Sequence, residues 1–290
     1  MKFYASVIAC ALGLAVWATP AAADYYDDAV TAAKAKDYAT AIKLYSEALD
    51  KNALEGRRLY AVLTNRGQAY LKAGKRTDAI ADFTRVFEMT NIPDTARFGA
   101  LLNRGGAHSS FNDHKRALAD YNLLIKTWPD NAVGYYNRGN ANARAKRTKQ
   151  AIEDYSRVLD LEPGFVSALI NRGVVYKGLR QYDQALADFH SAAKLKSRDA
   201  SIYVNRGIVY LHMRRYALAV AELDHAIRLR PKSAFAHANR AVAHLFLGSQ
   251  AKFDADVAKA RALGASDKTV KDLKAYAAYY DKKKKREDKE

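Results

Sequence analysis

The tripeptide Asn65-Arg66-Gly67 returns along the chain at a regular interval. Its asparagine stands at positions 65, 103, 137, 171 and 205, and a sixth copy has changed to Asn239-Arg240-Ala241. The copies from 103 to 239 are separated by 34 residues each. A fixed period of this length is typical of an array of helical repeats, and it outweighs the expectation of two globular domains for a chain of 290 residues.

Residues 132–165 show what one repeat contains. Tyr135 and Gly139 stand in its first half, and Ala151, Tyr155 and Val158 stand in its second half. Large apolar residues four apart mark one face of each of two helices, and similar residues recur at the same positions in the next repeats. Glycine and alanine occupy the places where the two helices approach each other most closely. Each repeat is therefore predicted to be a hairpin of two α-helices.

Proline residues mark the boundaries of the repeats, because proline cannot continue a helix. Three of them follow a second helix: Pro129, Pro163 and Pro231. At three boundaries a short polar residue that favours helix N-caps is expected to start the next repeat: Asp130, Asp199 and Ser233.

The first three repeats are spaced more widely than the others. Their second-helix alanines, Ala41, Ala79 and Ala117, are 38 residues apart. Four extra residues make about one helical turn. We therefore expect the second helices near Gly56 and near Pro93 to be longer.

The small residues at repeat positions 8 and 20 and the aromatic at position 24 resemble the tetratricopeptide repeat. The resemblance covers residues 22–267 in about seven units. It implies an all-α fold, a right-handed α-solenoid of about seven tetratricopeptide helical hairpins with a C-terminal capping helix. The first unit, residues 22–55, lacks the tripeptide and is expected to cap the start of the array.

The first 23 residues have the pattern of a secretory signal peptide. Met1-Lys2 is a short positive start, residues 3–17 are almost entirely apolar, and residues 20–23 supply a proline and small residues. An uncleaved membrane anchor is the alternative, but it needs about 20 apolar residues and usually lacks such small residues after the apolar segment. We therefore predict cleavage after Ala23 and an exported bacterial protein, most simply periplasmic.

Four segments are predicted along the chain. They are the cleaved signal peptide (1–23), the seven-unit array (24–267), a C-terminal capping helix (268–281) and a disordered basic tail (282–290). The capping helix is predicted from an apolar stripe that can seal the last unit: Val270, Leu273, Ala277 and Tyr280. The tail is too polar to pack against the array.

The chain is strongly basic, with a formal net charge of +17. Behind a secretion signal, this charge favours acidic proteins, lipid headgroups or cell-wall polymers as partners, and nucleic acid is not expected. A basic cluster at one hairpin turn, with the tail, gives a weak contact with an anionic envelope surface, worth about 1 kcal/mol per residue near a membrane. The cluster is Arg144, Lys146, Arg147 and Lys149.

The sequence contains no motif of an enzyme or of a metal site. Cys10 is the only cysteine, and the seven histidines occupy unrelated repeat positions. Pairs of metal ligands at short spacing and a phosphate-binding loop are both missing. We therefore predict a non-catalytic protein without a cofactor.

Every unit that has the arginine of the tripeptide also has an acidic residue sixteen positions later, and the first unit lacks both. This joint presence predicts structural ion pairs between helices, since a partly buried arginine without a partner is unfavourable. The six pairs are Arg66 with Asp82, Arg104 with Asp120, Arg138 with Asp154, Arg172 with Asp188, Arg206 with Glu222, and Arg240 with Asp256.

The asparagine of the tripeptide has no recurring partner in the sequence. In the tetratricopeptide family the first helix of each unit lines the concave surface, so the resemblance implies a row of groove residues: Asn65, Asn103, Asn137, Asn171, Asn205 and Asn239. This row is similar to the asparagines that hold an extended polypeptide in the repeat domain of O-linked N-acetylglucosamine transferase. A carboxamide can pair with both the C=O and the N–H of a peptide. The alternative is a purely structural asparagine kept by repeat duplication.

The basic residues of the carboxylate clamp found in chaperone-binding tetratricopeptide domains are missing, since repeat position 2 holds only small or apolar residues from Ala61 to Phe235. We therefore expect a scaffold or adaptor that binds another protein or an extended peptide in the concave groove. Two alternatives stay open. They are a basic protein that binds anionic lipid or cell-wall polymer, and an accessory subunit of an envelope enzyme.

Overall fold

The structure, a computed structural model, describes residues 20–51, 54–272 and 275. Within these residues the chain forms fourteen α-helices between Pro20 and Ala262, a further helical segment at residues 267–272, and no strand. The helices pack in consecutive pairs, so they form seven hairpins, each with a first and a second helix. The predicted all-α array of helical hairpins is confirmed.

The first helices are α1 (Pro20–Lys34), α3 (Gly56–Lys72), α5 (Asp94–Ser110), α7 (Ala132–Arg144), α9 (Val166–Gly178), α11 (Ala200–His212) and α13 (Ala234–Phe246). The second helices are α2 (Tyr38–Lys51), α4 (Arg76–Glu88), α6 (His114–Thr127), α8 (Thr148–Leu161), α10 (Tyr182–Leu195), α12 (Tyr216–Leu229) and α14 (Gln250–Ala262). The chain divides into two compact units, one ending at Leu161 with four hairpins and one beginning at Glu162 with three.

In both units, first helices of successive hairpins contact each other. In the part of the chain that the structure describes, no second helix contacts the second helix of the next hairpin. The first helices therefore form the closer-packed layer of each unit. We call it the first-helix layer, made of α1, α3, α5 and α7 in the first unit and of α9, α11 and α13 in the second.

Five hairpins close where the glycine of the tripeptide meets the large residue at repeat position 24. A Cβ atom on Gly67 would lie 2.7 Å from Cε1 of Phe83, and one on Gly173 would lie 2.8 Å from Cε1 of Phe189. Real Cβ atoms do not approach other atoms so closely, so only glycine lets the two helices pack at this distance. Both phenylalanines are fully buried, and burial of each such side chain contributes about 1.5–3 kcal/mol.

The last hairpin achieves the same packing with different residues. Ala241 replaces the glycine, and the smaller Val257 replaces the aromatic residue. Phe253 stands where the other hairpins have alanine, and all three side chains are buried. Volume removed at position 24 is therefore returned at position 20, which keeps the core filled.

The extra four residues of the early repeats lengthen the first helices, so the prediction of longer second helices is wrong. Helices α3 and α5 have 17 residues each, whereas α7 and α9 have 13 each. Helix α5 begins directly after Pro93, and a missing N–H is harmless at a helix start. The added turn therefore precedes the tripeptide.

Two of the three predicted N-caps are present. The side chain of Asp199 accepts a hydrogen bond from the N–H of Ser201 (3.0 Å), and that of Ser233 accepts one from Ala236 (3.3 Å). Helix α7 is capped by Asn131, whose Oδ1 accepts from Val133 at 3.0 Å, so the assignment of Asp130 is wrong. The reason is register, since Asn131 directly precedes the first helical residue.

The structure describes only part of the segments predicted at the two ends of the chain. Residues 1–19 of the signal peptide, three residues of the C-terminal stripe (Leu273, Ala277 and Tyr280) and the tail 282–290 lie outside the described residues. Residues 267–272 are helical, and Val270 packs in the core of the last hairpin with Leu245 and Phe253. Among the helices that are described, none is both long and apolar enough to span a lipid bilayer.

Candidate functional site

All six arginines of the tripeptide lie on first helices and contact the acidic residue on the second helix of their own hairpin. The shortest N–O distances are 2.7 Å for Arg66–Asp82, 2.7 Å for Arg104–Asp120, 2.6 Å for Arg138–Asp154, 2.7 Å for Arg172–Asp188, 2.8 Å for Arg206–Glu222 and 2.7 Å for Arg240–Asp256. The five aspartates are buried. Each pair joins the two helices of a hairpin at the centre of its contact.

The arginines also reach back to the preceding hairpin, through a polar residue that sequence reasoning missed. Nη1 of Arg66 donates to Ser46 Oγ at 3.0 Å, and Nη1 of Arg104 donates to Thr84 Oγ1 at 3.1 Å. Asn122 and Asp224 play the same role later in the chain. The signal is a polar residue directly after the buried residue of position 24. This pattern is hard to see in the sequence, because the number of residues between the polar residue and the arginine changes where a helical turn is added.

These acidic groups use their oxygens within the protein. Asp154 accepts from Arg138 and, through Oδ2, from Asn142 at 2.9 Å. Burial raises the pKa of Asp154, and the donors oppose this rise. Burial also acts against the charge of Asp256, but hydrogen bonds from Arg240 and His237 hold the pKa of that carboxyl below its ordinary value. The ion pairs are therefore fully engaged structural contacts.

A cleft of about 600 Å³ opens between α4, α5 and α6. Its charged groups pair with each other: Arg76 lies 2.8 Å from Asp113, and Arg104 pairs with Asp120. No group of three or more His, Cys, Asp or Glu side chains suited to a metal ion occurs in the described residues. These charged groups of the cleft therefore form an internal ion-pair network.

The six asparagines occupy one position of the first helices and are all half-buried. The first unit carries Asn65, Asn103 and Asn137, and the second unit carries Asn171, Asn205 and Asn239. Two of them contact the preceding first helix directly, which places the asparagines on the first-helix layer. Each unit therefore has its own row of three carboxamides.

Three of these carboxamides are held by their own helix. Nδ2 donates to the backbone oxygen four residues earlier, from Asn137 to Val133 (2.8 Å), from Asn205 to Ser201 (3.0 Å) and from Asn239 to Phe235 (2.7 Å). This bond uses one N–H of the amide and fixes the direction of the side chain. The second N–H remains, and Oδ1 of Asn239 has no hydrogen-bond partner among the described residues.

At the start of the array the asparagine has a structural partner. Nδ2 of Asn65 on α3 donates to the hydroxyl of Tyr26 on α1 at 2.8 Å. Burial raises the pKa of Tyr26, and the bond from Asn65 opposes this rise. Sequence reasoning missed this contact because its partners lie in neighbouring repeats, and only two of the seven repeats have a tyrosine at this position, Tyr26 and Tyr136. Asn65 therefore joins two hairpins.

The second unit surrounds its asparagines with apolar side chains. Val174, Ile208 and Val242 follow the asparagines by three residues on the same helices and are half-buried. Phe235, at the start of α13, is 58% exposed. This surface combines fixed amides with accessible apolar groups.

Comparison with known proteins identifies the repeat. Models described as "Tetratricopeptide repeat" match residues 64–132, 132–165 and 170–234, which together are more than half of the chain. The chain belongs to the tetratricopeptide repeat family. Members of this family are generally scaffolds for protein interactions.

Two solved tetratricopeptide structures share this fold. A tetratricopeptide repeat protein from Parabacteroides merdae ATCC 43184 has a TM-score of 0.67 and 21% identity, and the match covers 90% of this chain and 100% of that one. YrrB, "a TPR protein with an unusual peptide-binding site", has a TM-score of 0.52 and 21% identity, over 61% of this chain and 91% of that one. Identities at this level show the fold alone.

Serine/threonine-protein phosphatase 5 is similar in sequence over a shorter stretch. The protein from Mus musculus is 33% identical over 98 residues, which cover 34% of this chain. The human protein is 32% identical over 96 residues. The chain spans 18% of the length of these curated relatives.

Proposed function

We propose that this chain is a non-catalytic scaffold or adaptor that binds an extended polypeptide along its first-helix layer. The observation that carries the proposal is the orientation of Asn205 and Asn239. Both amides are tied to their own helix and keep a second N–H, and Asn239 also keeps its oxygen. Fixed donors and acceptors bind a ligand with a smaller loss of side-chain freedom than mobile ones.

The spacing of the helices suits a strand of peptide. Packed helices lie roughly 8–10 Å apart, and three extended residues span about 10 Å. Asparagines on adjacent first helices can therefore meet about every third residue of a bound strand. Their amides pair with the peptide backbone, while Ile208, Val242 and Phe235 are placed to contact its side chains.

The charged side chains support a role without catalysis. Those of the six arginine–acid pairs bind each other, and Arg76 and Arg104 in the cleft bind Asp113 and Asp120. The family is generally one of interaction scaffolds, and YrrB, which shares the fold, is described as having a peptide-binding site. We further propose that the chain works after export, most simply in the periplasm, on the basis of its N-terminal sequence.

The test is a display library of random 12-residue peptides, screened against the purified chain. Affinities of the selected peptides are then measured by fluorescence anisotropy for the parent and for Asn205→Ala/Asn239→Ala. The matched control is Gln150→Ala/Gln184→Ala, which removes two exposed carboxamides from second helices. Each lost hydrogen bond costs about 1 kcal/mol, so loss of two or more should weaken binding about 30-fold.

Two results would contradict the proposal. One is a set of peptides that bind the asparagine variant and the control equally well. The other is a library that yields no binder, while vesicles of anionic lipid bind the chain at low salt. The second result would point to the basic cluster at Arg144, Lys146, Arg147 and Lys149.

A further inference from the structure

One lysine stands in the first-helix layer of the second unit. Lys177 lies near the end of α9 and is half-buried, and its Nζ donates to Oδ1 of Asn205 on α11 at 2.7 Å. The same repeat position holds uncharged residues in the other five hairpins that carry the repeated asparagine and arginine: Leu71, Ser109, Ala143, Leu211 and Leu245. The lysine is therefore a specific feature of this hairpin and not of the repeat.

Among the described residues, no carboxylate oxygen lies within 4.0 Å of the ammonium nitrogen of Lys177, the limit for a salt bridge. Burial lowers the pKa of the neighbouring His212, and the positive charges of Lys177 and Arg180 lower it further. Burial also lowers the pKa of Lys177 itself. All six tripeptide arginines have an acidic partner, whereas Lys177 has none among the described residues.

A half-buried cation without a counter-charge is unfavourable for the free protein, and such groups are often found at binding sites. An ammonium has three N–H donors, and Asn205 takes one of them. Two donors remain for an incoming group. Asn205 also fixes the direction of the lysine, because its own amide is tied to Ser201.

We propose that Lys177 and Asn205 form a carboxylate site, so that the scaffold selects extended polypeptides with an acidic group at this point of the strand. The inference rests on the proposed function and adds a specificity to it. The net charge of +17 favours an acidic partner in the same direction. The carboxylate belongs either to an Asp or Glu side chain or to the C-terminus of the bound chain.

The test uses matched pairs of peptides made from the binders of the display library. Each peptide is synthesised as selected, with its Asp and Glu changed to Asn and Gln, and with its C-terminus free or amidated. The parent chain should bind the carboxylate form about tenfold more tightly, since a charge-assisted hydrogen bond is roughly twice as strong as a neutral one. Side-chain neutralisation and C-terminal amidation separate the two sources of the carboxylate.

Three variants assign the preference to the lysine. Lys177→Gln keeps a donor for Asn205 but removes the charge, so it should lose the tenfold preference and bind neutral peptides as the parent does. Lys177→Arg should retain most of the preference. Lys194→Gln removes an exposed lysine from the second helix α10 and should change nothing.

Peptides that bind with no preference for a carboxylate, or a preference that survives in Lys177→Gln, would overturn the carboxylate site and leave the scaffold function intact. Failure of every peptide to bind would instead overturn the scaffold function itself. Thermal unfolding of Lys177→Gln is measured first, and an unfolded variant is replaced by Lys177→Met in the same comparison.

Discussion

Loss of one partner from an arginine–acid pair should destabilise the array far more than loss of both. Asp82 is 5% exposed and accepts from Nε and Nη2 of Arg66 at 2.9 and 2.7 Å. Asp82→Leu leaves the guanidinium, whose side chain is 17% exposed, without its counter-charge. Breaking a buried pair costs about 3–5 kcal/mol, and the partial exposure of Arg66 places this case near 3 kcal/mol.

The double variant Arg66→Met/Asp82→Leu should lie within about 1 kcal/mol of the parent, because no charge is left unpaired. The first hairpin also lacks the pair, since exposed Asp28 stands at the position of the arginine, and Leu44, half-buried against the core, stands at the position of the acid. Glu88→Leu, at an exposed position of the same helix, is the control and should change stability by no more than about 0.5 kcal/mol.

Hydrogen exchange measured by mass spectrometry is the suitable assay, because long repeat arrays do not unfold as one two-state unit. A loss of about 3 kcal/mol raises the exchange rate of protected amides in α3 and α4 roughly 100-fold. The double variant should show less than about a tenfold change. If the double variant loses as much protection as Asp82→Leu, the unpaired guanidinium is not the cause of the loss, and the structural role of the pairs is refuted.

Three further predictions concern the core and its histidines. Gly173→Ala places a Cβ 2.8 Å from Phe189 Cε1 and should cost about 1–2 kcal/mol in chemical denaturation, whereas the last hairpin tolerates alanine there because its position 24 is a valine. Gly173→Ala/Phe189→Val should therefore lose less than the sum of the two single changes, and an additive loss would contradict the packing argument. Burial lowers the pKa of His108 and His244, so the unfolded chain binds more protons, and the melting temperature should fall as the pH drops below about 6.5. His108→Asn introduces the residue found at this position in the fourth hairpin and should weaken that pH dependence; an unchanged slope would exclude His108 as its source.

The sequence is sufficient to predict the helical hairpins. Every repeat buries the same face of its helices, so the apolar pattern and the Asn-Arg-Gly tripeptide recur in phase. It also indicates which acid each arginine contacts, since partners on two helices of one hairpin keep a constant spacing of sixteen residues. The placement of the extra turn was not predictable in this way, because four added residues preserve the register in either helix.

Contacts between neighbouring hairpins carry the weakest sequence signal. Tyr26–Asn65 and Lys177–Asn205 depend on how two first helices stack. No periodic pattern in the sequence marks these contacts, because the asparagine stands at the same position in every repeat that has it. Their surroundings differ, since Asn65 donates to Tyr26 of the preceding hairpin, whereas Asn205 and Asn239 are tied to their own helices and each keep a second N–H.

Contact between the asparagine amides of the first-helix layer and a bound polypeptide can be read directly from their side-chain NH₂ resonances. The ¹⁵N-labelled chain is titrated with a peptide from the display library, and the signals of Asn205, Asn239, Gln150 and Gln184 are assigned by substitution. We expect the two asparagine signals to shift and to saturate at the affinity measured by anisotropy, while the two glutamine signals on the second helices stay in place. Saturable binding that leaves both asparagine signals unmoved would contradict it.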